Sequence, residues 1–169
     1  MTSNQIFENL TKMLEKFPNI DEEYICPGIE HGHLFEATYN HKGGNTCRLC
    51  DQGKVVERAL RKNSAPKIYY STIGSANEVI KDSETRDKLR KDLGILCVEM
   101  EAAGLIDDFH CLVIRGICDY ADSHKNKRWQ PYNAATAAAY AKELLSIIPA
   151  QQIVATAKAA DALRGTPSL

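Results

Sequence analysis

ILCVEMEAAGLIDDFHCLVIRGICDYAD, residues 95–122, is the stretch whose reading decides the fold. Two apolar runs rich in β-branched residues, 95–98 and 111–117, flank a segment, 101–108, that reads as helix. This makes a strand–helix–strand unit whose connection is near the minimum a parallel crossover needs. Each run ends in acid: Glu99 and Glu101 after the first, Asp119 and Asp122 after the second. The ends of neighbouring strands lie roughly 5 Å apart. Ligands of open α/β sheets bind beyond the carboxyl ends of the strands, so these acids are expected to converge on one crevice.

Upstream of this unit, residues 67–75 (KIYYSTIGS) alternate and are rich in β-formers, which predicts a strand running into a turn at Ser75, Ala76 and Asn77. Residues 83–93 predict a charged helix, capped by Ser83 and closed by Gly94. Downstream, 123–131 (SHKNKRWQP) reads as a basic polar loop. The alanine-rich run 133–148 reads as a helix with Tyr140, Leu144 and Ile148 on one stripe, stopped by Pro149. At the start of the chain, Ile6, Phe7, Leu10, Met13, Leu14 and Phe17 recur at helical spacing, with Ser3 as cap and Pro18 as stop. The order of segments predicts an α/β domain over residues 1–149, with a mixed, partly parallel sheet flanked by helices, followed by an alanine-rich tail over 150–169.

Between the first helix and the first strand lies a long span, 19–66, dominated by turn signals such as Pro27-Gly28 and Gly43-Gly44. A strand over 34–39 is the one regular element it predicts. So long a weakly structured span inside a compact domain is usually an insertion or a functional loop. Within it stand Cys47 and Cys50, a CxxC with His31, His33 and His41 upstream. A zinc site needs four ligands, and no second pair follows at regular spacing, so the pair is read as two thiols on a loop and no metal is assigned.

Composition bounds the function classes. With 169 residues, 44% hydrophobic and 25% charged, the chain can bury a real core. A net charge of -1 gives no sign of a nucleic-acid or membrane surface. No apolar stretch approaches the roughly 20 residues that cross a bilayer, and MTSNQIFENL lacks the apolar block of a secretory signal, so a cytoplasmic protein with reduced cysteines is expected.

VEMEAAGL at 98–105, followed by IRGICDYAD at 114–122, resembles the signature pair of the purine and uridine phosphorylase superfamily, which includes the methylthioadenosine and adenosylhomocysteine nucleosidases. SANEVI at 75–80 matches the loop before that family's base-binding residues, so the similarity covers roughly 67–148. The wording of the whole stretch looks most like the phosphorylase-like modules of filamentous fungi, which often precede a nucleotide-binding or repeat region.

The resemblance implies a phosphorylase/hydrolase-like α/β fold and cleavage of the N-glycosidic bond of a purine nucleoside, by phosphorolysis or hydrolysis. Asp119 would be the general acid, donating a proton toward N7 of the base. Glu101 would accept hydrogen bonds from the ribose hydroxyls, Met100 would pack on the sugar face, and Glu99 would support the sugar site. Val79 and Ile80 match the positions that flank the base, while Arg115 and Asp122 would brace the loop carrying Asp119. No cofactor is implied beyond inorganic phosphate as a candidate co-substrate.

The departures are as specific. Val79 stands where an aromatic residue commonly stacks on the base, and Cys118 replaces a serine often found before the aspartate. The family's opening strands, with their phosphate-handling loop, have no counterpart in these 169 residues, so half of the usual crevice is expected to come from elsewhere. A homo-oligomer, or association with another chain or domain, would also cover the exposed sheet edge. Whether the chain is itself an enzyme therefore stays open. The alternative is a non-catalytic nucleoside-binding or assembly module of a larger fungal signalling protein.

Overall fold

In a computed structural model of the chain, the described residues are 3–19, 22–44, 46–59, 61–63, 65–107, 111–149 and 151, with side chains described from Gln5 onward. Four α-helices and one two-stranded sheet are found among them: α1 (Ser3–Lys16), β1 (Ile73–Ser75), α2 (Ser83–Leu93), β2 (Cys97–Glu99), α3 (Ala103–Ile106) and α4 (Gln130–Ser146). Short 3-10 turns punctuate the irregular span before β1 and the approach to α4. No described helix is long and apolar enough to cross a membrane. The tail expected from residue 150 lies outside the described residues except for Gln151.

Helices α1 and α4 pack on each other through Ile6, Leu10, Ala135 and Ala139, all buried, with Met13, Tyr24, Ile68, Tyr132 and Tyr140 around them. Ile6 and Leu10 are one turn apart and face the same way, and burying each contributes about 1.5–3 kcal/mol. Ala135 and Ala139 are likewise one turn apart, and their small side chains let α1 approach until Asn9 Nδ2 donates to the Ala139 carbonyl at 3.5 Å. The buried face of α4 is thus its alanine pair, and the expected stripe of Tyr140, Leu144 and Ile148 is half-buried beside it. Phe7 and Phe17, placed by their spacing on the greasy face of α1, are exposed.

Strands β1 and β2 run parallel, with Ile73 opposite Cys97, Gly74 opposite Val98 and Ser75 opposite Glu99. Backbone bonds from Leu96 N to Thr72 O (3.0 Å) and from Ala76 N to Glu99 O (3.1 Å) extend the pairing at both ends. The strand expected over 67–75 is therefore trimmed to its last three residues. The second expected strand is corrected: residues 111–117 have no regular structure, and the parallel neighbour of β2 is β1. The reason is visible in the side chains of that segment, since Leu112 and Ile117 lie 72% and 48% exposed and no described strand offers it a backbone partner. α3 is shorter than the expected helix, whose last residue, Asp108, lies outside the described residues.

At the start of α2, Asp82 holds the cap position expected of Ser83. Its carboxylate accepts from the Thr85 amide at 2.7 Å, while Ser83 is buried in the first turn. Gly94 closes the helix at φ 64°, the left-handed conformation in which glycine carries no steric penalty. The strand expected over 34–39 reduces to a bridge between Phe35 and Val55, with Glu36 N to Lys54 O at 2.9 Å and Val56 N to Leu34 O at 2.8 Å.

Two close approaches fix how the segments before and after the sheet sit. A Cβ on Gly116 would fall 2.0 Å from the Asn133 carbonyl oxygen at the head of α4, where only backbone could yield. A Cβ on Gly74 would meet the Cδ1 of Ile95 at 2.8 Å, the movable end of a side chain. Gly116→Ala should cost about 1–3 kcal/mol in urea unfolding, and Gly74→Ala clearly less. Equal losses from the two substitutions would contradict this packing.

Candidate functional site

The end of β2 carries Glu99, Met100 and Glu101, and the three side chains have different fates. Glu99 turns inward and is 5% exposed. Its Oε2 accepts from the amides of Glu101 (3.0 Å) and Ala102 (2.9 Å), so it serves as cap for the turn that leads into α3. Burial pushes its carboxyl up, but hydrogen bonds from Ser75 and those two amides, with the Arg115 charge, outweigh burial and hold it below the ordinary carboxylate value. Its Oε1 is buried without a hydrogen-bond partner among the described residues. Ser75, at the tip of β1, also accepts from the Ala103 amide at 3.0 Å, so both strand tips hold the start of α3.

Glu101 faces solvent and pairs with Arg115, whose Nη1 lies 2.9 Å from its Oε2. Met100 is 41% exposed beside it. Arg115, expected to brace the Asp119 loop, reaches with its guanidinium to the acid at the end of β2. Arg115 is four residues before Asp119, and four residues of chain span at most about 14 Å. The ion pair thus ties the Glu101 strand end to the segment carrying Asp119.

Asp119 is one-fifth exposed and sits in a tight turn. Its Oδ1 accepts from the Ala121 amide at 2.8 Å, and Lys125 Nζ lies 3.4 Å from Oδ2. The Cys118 thiol is 3.8 Å from the same oxygen. Ala121 takes φ 52°, a left-handed conformation that costs a non-glycine residue roughly 1–2 kcal/mol and persists because the neighbours over-determine it. Those neighbours include Arg86 of α2, which donates to the Tyr120 carbonyl at 2.9 Å, and Arg58, which donates both to the Tyr120 hydroxyl and to the Gly32 carbonyl. Of the two positions matched to the base, Val79 is 46% exposed and Ile80 is buried at 8%.

Asp122 is almost wholly buried, at 1% exposure, and its Oδ1 accepts from the His124 amide two residues on at 2.8 Å. The His124 ring stacks on Phe35 with centroids 4.1 Å apart, and burial, followed by the neighbouring His41, holds its pKa below the ordinary histidine value despite Asp122. The loop is pinned to the irregular span elsewhere too. Asn126 Nδ2 and Trp129 Nε1 both donate to the His31 carbonyl at 3.2 Å, and Ser123 Oγ accepts from the His41 amide at 3.0 Å.

That second contact delivers His41 to the cysteine pair. One ring nitrogen of His41 and the thiols of Cys47 and Cys50 all lie within 4.8 Å of one another. Cys50 is buried, and the Cys47 thiol is pushed up to about 11 by burial, by the facing Cys50 and by the charge of Asp122. Sequence spacing flagged the two cysteines but gave no means of choosing among His31, His33 and His41.

No family model matches this chain, and no solved structure matches it. Among curated proteins, it is 50% identical over 133 residues to a nucleotide-binding leucine-rich repeat (NLR)-like protein of Hyaloscypha variabilis, an alignment covering 79% of this chain and 13% of that protein. It is 32% identical over 89 residues to the 5'-methylthioadenosine/S-adenosylhomocysteine nucleosidases of Mycobacterium bovis and Mycobacterium tuberculosis, covering 50% of this chain and 35% of each nucleosidase. The chain therefore spans well under half the length of each of these relatives. Its small parallel sheet with flanking helices is of the α/β kind and agrees with part of a phosphorylase-like fold.

The Glu99 network generates a pH test. Because its folded-state carboxyl lies below the ordinary value of 4.5, its contribution is fully present above that value and is lost as pH falls through the folded-state value. Glu99→Gln should lower stability by about 1.5–3 kcal/mol at pH 7, the worth of hydrogen bonds to a charged group, and the gap to the parent should close in acid. Denaturant unfolding at pH 7 and pH 3 reads both outcomes.

Proposed function

We propose that this chain supplies the base and sugar contacts of a module that cleaves the N-glycosidic bond of a purine nucleoside. The observation that carries the reading is the Arg115–Glu101 ion pair at 2.9 Å, which brings the acid of one signature motif against the segment bearing the acid of the other. Similarity to nucleosidases over half of the chain supports it.

In such a reaction the bond between the sugar and the base nitrogen breaks, and its electron pair leaves with the base. Positive charge grows on the sugar, and the base departs readily only if a ring nitrogen takes a proton as the bond breaks. Asp119 is the proposed donor. To donate it must carry a proton, so the Lys125 contact is given up when a base enters, freeing that ammonium for the solvent or an anionic group. Glu101 is the proposed acceptor of the ribose hydroxyls, and its negative charge favours the cationic sugar more in the transition state than in the ground state. Its pair with Arg115 is exposed on both sides, 41% and 62%, and such pairs contribute only about 0–1 kcal/mol, so exchanging it for two hydroxyls costs little. Met100 packs on the sugar face, Glu99 holds the Glu101 backbone, and Val79 and Ile80 border the base. Water or inorganic phosphate then captures the sugar cation, positioned by groups that complete the crevice from another chain or domain.

A second reading rests on a specific observation of its own. The alignment to the NLR-like protein includes most of this chain but a small fraction of that protein. The chain is then a nucleoside-binding or assembly module within a larger signalling protein, keeping the sugar and base contacts without turnover.

Release of free base from adenosine, inosine or methylthioadenosine, with and without phosphate, separates the readings. Turnover that falls by about a hundredfold to ten-thousandfold in Asp119→Asn supports the first. Nucleoside binding by calorimetry without base release supports the second. Turnover left untouched by Asp119→Asn removes that residue from the chemistry.

A further inference from the structure

The irregular span of residues 22–66 has little to hold it. Among its described residues the buried side chains are Phe35 and Cys50, and the regular pairing is one bridge. Yet it packs on the Asp119–Arg128 loop through an ordered set of polar contacts, and the innermost of these surround His41, Cys47, Cys50 and Asp122.

The donor set there is unlike an ordinary loop. Two thiols three residues apart face a single imidazole, with all three ligand atoms within 4.8 Å of one another. Bond lengths of 2.0–2.3 Å place tetrahedral zinc ligands roughly 3.3–3.8 Å apart, so closing this triangle needs movements of about 1 Å. The His41 ring is already oriented by backbone: the Gly43 amide donates to Nδ1 at 3.1 Å and Nε2 lies 3.3 Å from the Thr46 carbonyl. Ligation through Nδ1 displaces only the amide of exposed Gly43 and keeps an Nε2–H bond to the Thr46 carbonyl, the outer contact that metal-bound imidazoles ordinarily make.

A second observation comes from the opposite loop. Asp122 is 1% exposed, and its Oδ2 has no hydrogen-bond partner among the described residues; His124 Nδ1 is 3.9 Å away. A buried carboxylate oxygen with nothing to accept is costly, and a bound cation is one of the few things that offsets it. Asp122 precedes Ser123, whose Oγ accepts from the His41 amide at 3.0 Å, so the loop that carries it meets the cluster at His41. Its other oxygen is fixed by the His124 amide, as a ligating carboxylate is usually held.

We propose that His41, Cys47 and Cys50 form a structural site for a single zinc-like divalent cation, and that Asp122, which stands outside this cluster, moves in as the fourth ligand, clasping the irregular span to the loop carrying Asp119. Two thiolates, an imidazole and a carboxylate suit zinc among the common divalent ions. On binding, the two thiols give up their protons to solvent, while His41 Nδ1, already an acceptor, has none to lose, and no redox change is involved. With Asp122 as the fourth ligand the site is closed by protein, so it holds structure and leaves no place for substrate.

The test is metal content and metal-dependent thiol protection in the intact chain, read without any nucleoside. One equivalent of zinc per chain by elemental analysis is expected, together with a thiolate-to-metal charge-transfer band when cobalt replaces zinc. With zinc bound, Cys47 and Cys50 should resist alkylation while exposed Cys111 reacts, and chelation should expose both. Cys47→Ser and Cys50→Ser should weaken zinc binding by about a hundredfold or more, and Asp122→Asn by about tenfold to a hundredfold. Substoichiometric zinc with no cobalt band overturns the site. So does alkylation of Cys47 and Cys50 that ignores added zinc, an outcome read on the native chain even where a variant fails to fold. Unchanged affinity in Asp122→Asn overturns the assignment of the fourth ligand.

Discussion

A single carboxylate, that of Glu99, joins the two strand tips to the turn that follows them. It accepts from two successive amides at the start of α3 and lies against Ser75, the residue paired with it on β1. A three-residue parallel pair has too few backbone bonds to be stable by itself. What fixes it is a buried charge whose desolvation is outweighed by the donors turned toward it, each such bond worth about 1.5–3 kcal/mol. Glu101 owes its outward direction to this arrangement, because the chain must turn sharply for its own amide and the next to face Glu99.

The loop that bears Asp119 is held by a different means. It has no α-helix or strand of its own, and its shape comes from groups on distant segments: the side chains of Arg86 from α2 and of Arg58, and the His31 carbonyl that receives both Asn126 and Trp129. Such a loop can carry a strained residue like Ala121 because many independent contacts would have to break together for it to relax.

Local patterns in the sequence gave good guidance where the deciding interactions are local. The helices at 3–17 and 83–93, the left-handed glycine at 94 and the α/β alternation follow from spacing, capping chemistry and chain stiffness. Where the outcome depends on distant partners, the pattern misled. The run 111–117 has strand composition but no strand beside it among the described residues to complete a ladder, and the strand paired with β2 is β1. Ser83 and Asp82 are both good caps, and only the backbone at 82, with φ -132°, selects the aspartate. The candidate site was legible as a list of acids. Its wiring was not, because Arg115 had no mark in the sequence to show that it reaches Glu101 and leaves Asp119 to Lys125.

The exposed run around Leu112 and Ile117, with Leu105 and Ile106 also largely in water, has a thermodynamic consequence. Whatever docks over these side chains stabilises the folded chain by mass action, by an amount set by its concentration relative to its dissociation constant. Burying that surface would carry a negative heat-capacity change, making the strength of docking curve with temperature. With a partner docked there, the melting point would shift with that partner's concentration, and would be no fixed constant of the molecule.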